Sequence, residues 1–290
     1  MPEKSPSLSI ILPAKNEAAA LPELLAHLKQ SYPQAELLVV DDGSTDDTAK
    51  VAESHGARVV RHPYSMGNGA AVKSGARAAG GEILVFMDAD GQHGADDVAL
   101  LLDKLAAGYD MAVGARNSHS QASFGRNIAN RIYNRLASWV VGHRIPDLTS
   151  GFRAVKAEQF REFLYLLPNG FSYPTTITMA FFRAGYGVAY VPITAAKRIG
   201  KSHISPTRDG VRFLLIIFKV GTLYSPLKIF FPISVLFFLL GLGRYIYTFN
   251  INHQFTIMSA LMFITSVLVF LIGLLSEQIT NLLYSSRERN

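Results

Sequence analysis

From Phe255 to Ser276 the chain runs for 22 residues without a single charge. A helix of that length crosses a hydrocarbon core of roughly 30 Å. Leu227 to Phe249 is a second apolar run, with Arg244 near its far end, where a long side chain can snorkel to the interface. The link between them, Asn250 to Gln254, is short and polar. The pair predicts a transmembrane hairpin; the competing reading is two buried helices of a soluble core. Lysine and arginine cluster before the first run and follow the second (Arg287, Arg289), while the link has neither. The positive-inside rule then puts both ends, and everything N-terminal, on the cytoplasmic side of the cell (inner) membrane, with the chain multi-pass.

Charge is placed as unevenly as apolarity. The net charge is +6, yet from Phe163 to Ser276 the only acid is Asp209. Between Arg183 and Lys228 stand eight basic residues: Arg183, Lys197, Arg198, Lys201, Arg208, Arg212, Lys219 and Lys228. Such a stretch suits nucleic acid, anionic lipid or a phosphorylated substrate. Its position against the spans favours lipid and phosphate over nucleic acid. Thr207 to Leu223 mixes three of these cations with Val211 and a run from Phe213 to Phe218. It predicts a helix lying at the membrane surface, or an early start of the first span. The chain has no cysteine, which excludes disulfides and thiolate zinc sites and fits a reducing compartment. Met1 to Ser7 is polar, and the apolar run after it is too short for a signal-peptide core.

The first 200 residues alternate short apolar runs with longer amphipathic ones. Strands are predicted at 8–12, 36–40, 58–61, 83–87, 111–114 and 188–192. Helices are predicted at 19–29, 47–55, 70–79, 95–106, 126–141 and 157–166. This alternation argues for an α/β fold, a mostly parallel sheet covered by helices. In such sheets ligands bind beyond the carboxyl ends of the strands. The expected domains are 1–205 catalytic, 206–225 interfacial and 226–290 hairpin and tail.

Two acidic motifs fall at strand ends. In Val85-Phe86-Met87-Asp88-Ala89-Asp90-Gly91-Gln92-His93, the carboxylates of Asp88 and Asp90 and the amide of Gln92 are hard oxygen ligands suited to Mg²⁺ or Mn²⁺. An ion there neutralises a diphosphate leaving group; the bland alternative is a solvated turn. Asp41-Asp42-Gly43-Ser44-Thr45-Asp46-Asp47 offers helix caps. Capping does not explain Asp41 and Asp42, which could accept from a base or ribose hydroxyl. Met66 to Lys73 gives a glycine-containing loop and a helix start, where backbone N–H groups and Lys73 could face phosphate. The third glycine of a Rossmann fingerprint is missing. On Phe124 to Val141, Arg131 and Arg135 share a helix face beside a stripe of Ile128, Ile132 and Leu136.

In this order, PAKNE, VVDDGSTDDT, GNGAAVKSG, FMDADGQH, GAR and DLTSGFRA resemble the GT-A glycosyltransferases of the dolichol-phosphate mannose synthase type, inverting enzymes of family 2 that act on polyprenyl phosphates. The resemblance runs from about Leu8 to His203. It implies a Rossmann-like GT-A domain and transfer of one sugar from a UDP- or GDP-sugar to undecaprenyl or dolichyl phosphate, with inversion. It implies nucleotide-sugar contacts at Pro13, Ala14, Glu17, Asp42, Asp88, Ala89, Asp90 and Lys201, and the metal on Asp88, Asp90 and Gln92. Arg116, Arg126 and Asn130 would grip the acceptor phosphate, and Arg198 would reach donor and acceptor together through its bidentate fork. Asp90, Arg116 and Arg198 are thus the expected catalytic residues, with Asp147 the candidate base, although it could instead cap the turn at 148–151.

One stretch departs from the pattern. Many relatives carry a carboxylate shortly after SGFR; here Gly170 to Thr176 has none, and its polar residues are expected to line the sugar pocket. A processive polysaccharide synthase would carry Gln-x-x-Arg-Trp, but the only tryptophan, Trp139, follows Arg135-Leu136-Ala137-Ser138. A non-enzyme alternative is a membrane-anchored nucleotide-sugar-binding scaffold. The small number of spans leaves self-association into a homo-oligomer open.

Overall fold

The computed structural model describes residues 6–91, 94–116, 124–170, 173–193, 218, 221–222 and 224–285, with the side chains of 124–132 and 283–285 outside the description. Among the described residues seven strands form one sheet: β1 (Leu8–Ala14), β2 (Glu36–Asp41), β3 (Arg58–Arg61), β4 (Ile83–Phe86), β5 (Met111–Arg116), β6 (Arg153–Lys156) and β7 (Val188–Ile193), in the order β3-β2-β1-β4-β6-β5-β7. β3, β2, β1 and β4 pair in parallel, as do β5 and β7. β6 lies antiparallel between β4 and β5. The central strands are buried along almost their whole length, as Ile10, Ile11 and Leu12 show. Continuous apolar strands of this kind require cover on both faces.

The cover comes from α1 (Leu21–Ser31), α2 (Thr48–Ser54), α3 (Asn68–Ala78), α4 (Ala95–Ala106), α5 (Phe124–Val141), α6 (Ala157–Glu162) and α7 (Tyr173–Arg183). On one face Leu21, Leu25, Leu28, Val98 and Leu101 pack against Ile10, Leu12, Val39 and Val85. On the other, Phe160 of α6 lies 4.7 Å from Phe86, ring centre to ring centre. α3 approaches β1 so closely that a Cβ on Gly75 would sit 2.4 Å from the Ile11 side chain.

The sequence-predicted strands and helices are present to within a few residues, except that the helix at 157–166 stops at Glu162. Two elements escaped the pattern. β6 is four residues long and carries Arg153 and Lys156, so its apolar signal is slight. α7 is rich in threonine, a weak helix former, yet every residue from Tyr173 to Phe181 is buried. Of the 170–176 stretch expected to line a sugar pocket, Tyr173 to Thr176 are buried, and residues 171–172 lie outside the described residues.

The described residues divide into two units, one within 1–135 and 144–206, the other within 136–143 and 207–290. The second contains α8 (Pro226–Asn252) and α9 (Ile257–Ser285), both long and apolar enough to cross a membrane. Small residues set their contact. Ser234 and Ser266 each donate to the other's backbone carbonyl, at 3.0 and 2.9 Å, and Gly241 faces Met262 and Phe263. At the other end the α8 backbone N–H of Leu227 donates to Glu277 Oε2 at 3.3 Å. The interfacial segment expected at 206–225 falls almost wholly outside the described residues.

Candidate active site

The carboxyl ends of β1, β2, β4 and β5 lie along one edge of the sheet. Because β6 runs the other way, its beginning reaches the same edge. Both expected acidic motifs and the 147–153 segment therefore converge there.

Asp88 and Asp90 follow β4. Met87 still donates to the Ile11 carbonyl at 3.1 Å, so the strand's alignment continues to the acids. Asp88 is partly exposed, Asp90 is buried, and Gly91 turns the chain at φ +72. Phe86 pairs with Arg153 in the register of β4 and β6, which carries Asp88 opposite Gly151. A Cβ on Gly151 would meet the Asp88 carboxylate at 3.5 Å and Tyr173 Oη at 3.2 Å. Glycine thus leaves clearance over Asp88. A carboxylate is a hard oxygen ligand suited to a divalent ion, although no group of three or more His, Cys, Asp or Glu arranged to hold a metal occurs among the described residues. Gln92, the third expected ligand, lies outside them.

Arg116 ends β5. Its Nε donates to Asp147 Oδ2 at 2.8 Å, and its Nη2 to Asp147 Oδ1 at 3.3 Å and Thr149 Oγ1 at 2.8 Å. Thr149 donates to Asp147 Oδ1 through both backbone N–H and hydroxyl, each at 3.0 Å. Burial pushes the Asp147 pKa up, but Arg116 and Thr149 outweigh it and hold the carboxyl below its ordinary range. That is the wrong direction for a general base near neutrality. Asp147 is placed to orient Arg116 and to close the 147–149 turn. Asn134 on α5 fixes the same turn, donating to the Pro146 carbonyl at 2.6 Å and accepting from the Leu148 N–H at 3.2 Å.

On the other side of the edge, PAKNE and DDGSTDD knit together. The Asn16 N–H donates to Ser44 Oγ at 3.0 Å, the Thr45 N–H to Asn16 Oδ1 at 2.8 Å and the Glu17 N–H to Thr48 Oγ1 at 2.9 Å. Ala14 accepts from the Asp42 N–H at 2.9 Å. The Asp42 carboxylate takes two bonds on each oxygen: His62 Nδ1 at 2.8 Å and Met66 N–H at 2.7 Å on one, Ser65 Oγ at 2.8 Å and Gly67 N–H at 2.9 Å on the other. These fill its accepting capacity, so Asp42 shapes the 62–67 loop that borders the edge. Burial raises its pKa, and these four bonds together bring it below the ordinary value.

Lys73, expected at phosphate, is turned inward. Its Nζ donates to the Leu167 carbonyl at 3.0 Å and to Asn169 Oδ1 at 2.5 Å. The start of α3 is occupied too, since the Ala70 N–H donates to the Gly67 and Asn169 carbonyls at 2.9 and 3.1 Å. The Gly67–Gly69 loop is thus a close backbone crossing: a Cβ on Gly69 would lie 2.1 Å from the Pro168 carbonyl oxygen. A cleft of about 660 Å³ lies among Asp41, Gly43, Asp46, Asp47, Lys50 and Arg61, and none of Asp88, Asp90 and Arg116 lines it. Its lining mixes acids with Lys50, Arg61 and His62 at the end of β2, away from the acidic pair and Arg116.

Arg126 and Asn130 belong to α5, with side chains outside the description; Arg198 and Lys201 lie outside the described residues. β7 ends at Ile193, in register with Arg116 at the end of β5. Sequence reasoning missed Asn134, Asn169 and Arg153. Arg153 is fully buried in β6, its Nη1 donating to the Pro174 carbonyl at 3.4 Å and Thr178 Oγ1 at 3.3 Å. A charged residue in the midst of an otherwise apolar SGFRAV run was the available signal.

Residues 9–164 match the family described as Glycosyl transferase family 2, and residues 225–282 match the GtrB C-terminal hairpin. Glycosyltransferase AglJ of Haloferax volcanii is 29% identical, covering 95% of this chain and 94% of that protein. Polyprenol monophosphomannose synthase of Mycolicibacterium smegmatis is 30% identical over 68% of this chain and 80% of its own length. Undecaprenyl-phosphate mannosyltransferase of Micrococcus luteus is 29% identical over 67% of this chain and 86% of its own length. Among solved structures, glucosyl-3-phosphoglycerate synthase from Mycobacterium tuberculosis, in complex with Mn²⁺, UDP and glucosyl-3-phosphoglycerate, aligns with a TM-score of 0.62 at 22% identity, over 75% of this chain and 80% of that one. That likeness is one of fold.

Proposed function

Because the chain belongs to glycosyl transferase family 2, we propose that it transfers a single sugar from a UDP- or GDP-sugar to a polyprenyl phosphate, undecaprenyl or dolichyl, at the cytoplasmic face of the membrane. The observation that carries this reading is the meeting, at one sheet edge, of an acidic pair suited to a metal–diphosphate with Arg116, in a chain that also carries a membrane-length hairpin. The names of the mycobacterial and micrococcal relatives, a polyprenol monophosphomannose synthase and an undecaprenyl-phosphate mannosyltransferase, support the lipid acceptor.

The reaction is an in-line displacement that inverts the anomeric carbon. An acceptor phosphate oxygen forms the new bond as the nucleoside diphosphate departs. A phosphate monoester has its second pKa near 6, so the nucleophile is already mostly deprotonated at neutral pH and needs no base. This agrees with an Asp147 held as a carboxylate by Arg116. The protein's tasks are orientation and charge. Pro13, Ala14, Glu17 and the loop held by Asp42 border the nucleoside. Arg116, with Arg126, Asn130 and Arg198, shields two anions that would otherwise repel. Asp88 and Asp90, with Gln92 and Ala89 beside them, would hold Mg²⁺ or Mn²⁺. When bound, the ion neutralises the leaving diphosphate; the fold neighbour's complex with Mn²⁺ and UDP is consistent with this.

The test is transfer of label from a panel of nucleotide sugars to undecaprenyl or dolichyl phosphate, read in the organic phase, with Asp90→Ala as control. Label from one donor that disappears in the folded control is the expected result. Label that persists undiminished in Asp90→Ala would remove the assigned role of the acidic pair.

A further inference from the structure

Arg116 is held by one edge of its guanidinium. Nε and Nη2 face Asp147 and Thr149, which leaves Nη1 without a protein partner among the described residues; 29% of the side chain is exposed. The 146–149 turn that holds it this way is itself held from α5. Asn134 Nδ2 donates to the Pro146 carbonyl at 2.6 Å, and Asn134 Oδ1 accepts from the Leu148 N–H at 3.2 Å. One side-chain amide thus closes on the backbone at both sides of Asp147, as a paired strand would. The preceding residue of the helix, Tyr133, shares a buried hydrogen bond of 2.6 Å with Thr175 Oγ1. Neighbouring residues of a helix project about 100° apart, so bonds from Tyr133 and Asn134 together fix the rotation of α5 about its axis. By their i, i+4 spacing, Arg126, Asn130 and Asn134 follow one another along one stripe of that helix.

We propose that Asn134 is a positioning residue for the acceptor, fixing the α5 stripe of Arg126 and Asn130 against Arg116 so that all three meet one phosphate. This rests on the reading of Arg116 as a ligand of the acceptor phosphate. Asn134 touches neither substrate; it acts through the 146–149 turn and Asp147. A guanidinium recognises phosphate through donors in a rigid fork, so its orientation matters as well as its charge. The nucleotide side is built separately. The bonds that join 16–17 to 44–48, and Asp42 to the 62–67 loop, use neither residue 134 nor residues 146–149. Loss of the amide therefore impairs use of the acceptor and spares the donor, whereas a general loosening of the domain weakens both. Because Asn134 acts through Asp147, losing both side chains costs little more than losing Asp147 alone.

The experiment is steady-state sugar transfer by the detergent-solubilised full chain, with undecaprenyl or dolichyl phosphate, whichever wild type uses. Acceptor and donor are varied in turn, and binding of UDP and GDP is measured by calorimetry without acceptor. Wild type, Asn134→Leu, Asn134→Asp, Asp147→Asn and the double variant Asn134→Leu/Asp147→Asn are compared, with thermal melting alongside. Asn134→Leu should lower kcat/KM for the acceptor roughly tenfold, with donor KM and nucleotide binding close to wild type. Asn134→Asp still accepts from Leu148 but cannot donate to Pro146, so its loss should be smaller. Asp147→Asn should show the same acceptor-selective loss, and the double variant should be little slower than Asp147→Asn alone. Equal losses for donor and acceptor, losses that multiply in the double variant, or unchanged acceptor kinetics would each overturn the proposal. If Asn134→Leu fails to melt cooperatively, Asn134→Asp and Asp147→Asn decide by the same split. A folded wild type that transfers sugar to neither prenyl phosphate would instead remove the acceptor reading itself, and this proposal with it.

Discussion

Asp147 accepts from Arg116 Nε and Nη2 and from the N–H and hydroxyl of Thr149. Replacing Asp147 by asparagine should keep the turn but strand a largely buried guanidinium, costing about 1–3 kcal/mol near neutral pH. Asp147 and Asp42 are both held below the usual carboxylate range. Their stabilisation is therefore complete above an unfolded pKa near 3.9 and is lost as pH falls through the lower folded values. Melting temperatures between pH 6 and 3 should fall at the acid end for wild type and fall less for Asp147→Asn; parallel curves would contradict the assignment. Gly151→Ala tests clearance over Asp88. Its Cβ would crowd Tyr173 Oη at 3.2 Å and touch the carboxylate at 3.5 Å. Sugar transfer should drop about tenfold to a hundredfold while the melting temperature shifts by only a few degrees, and full activity would show that Asp88 has room to spare.

At the scale of elements, the strand-end edge is assembled by loops that spend their polar groups on one another. Asp42 fastens the 62–67 loop through four bonds. Asp42→Ala leaves the Met66 and Gly67 N–H groups without their acceptor, at a cost of about 3 kcal/mol. Denaturant unfolding should register that loss, and steady-state kinetics should show a raised donor KM with a smaller change in kcat. A fall in kcat alone would instead put Asp42 at the reacting atoms. Lys73 belongs to the same class of fasteners, joining α3 to the 167–169 turn.

For the molecule as a whole, the hairpin makes two demands. The reciprocal Ser234–Ser266 bonds join α8 to α9, and a double-mutant cycle to alanine should give a coupling of about 0.6 kcal/mol, typical of such bonds within membranes. Orientation is testable without background, because the chain has no cysteine. With the catalytic unit cytoplasmic, His253→Cys between the helices should react with an impermeant maleimide on intact cells, and Lys104→Cys on α4 only after lysis. The reverse pattern would invert the topology and remove access to a cytoplasmic nucleotide sugar.

Much of this was legible along the chain, where the signal is local. An uncharged run, an alternation of apolar strands and amphipathic helices, and acids at strand ends depend on nearest neighbours in sequence, so composition and spacing alone determined the α/β domain, the hairpin and the acidic pair. Side-chain assignments were less legible because they depend on partners far away in sequence. Lys73 turns inward to a carbonyl 94 residues distant, and Asp147 is claimed by Arg116, 31 residues before it. β6 was unreadable for the same reason: a four-residue strand carrying two cations is stable only because β4 and β5 flank it. The sequence determined which groups could do chemistry. Tertiary structure decided which of them are committed to holding the others, because a buried polar group must find a partner wherever the fold brings one.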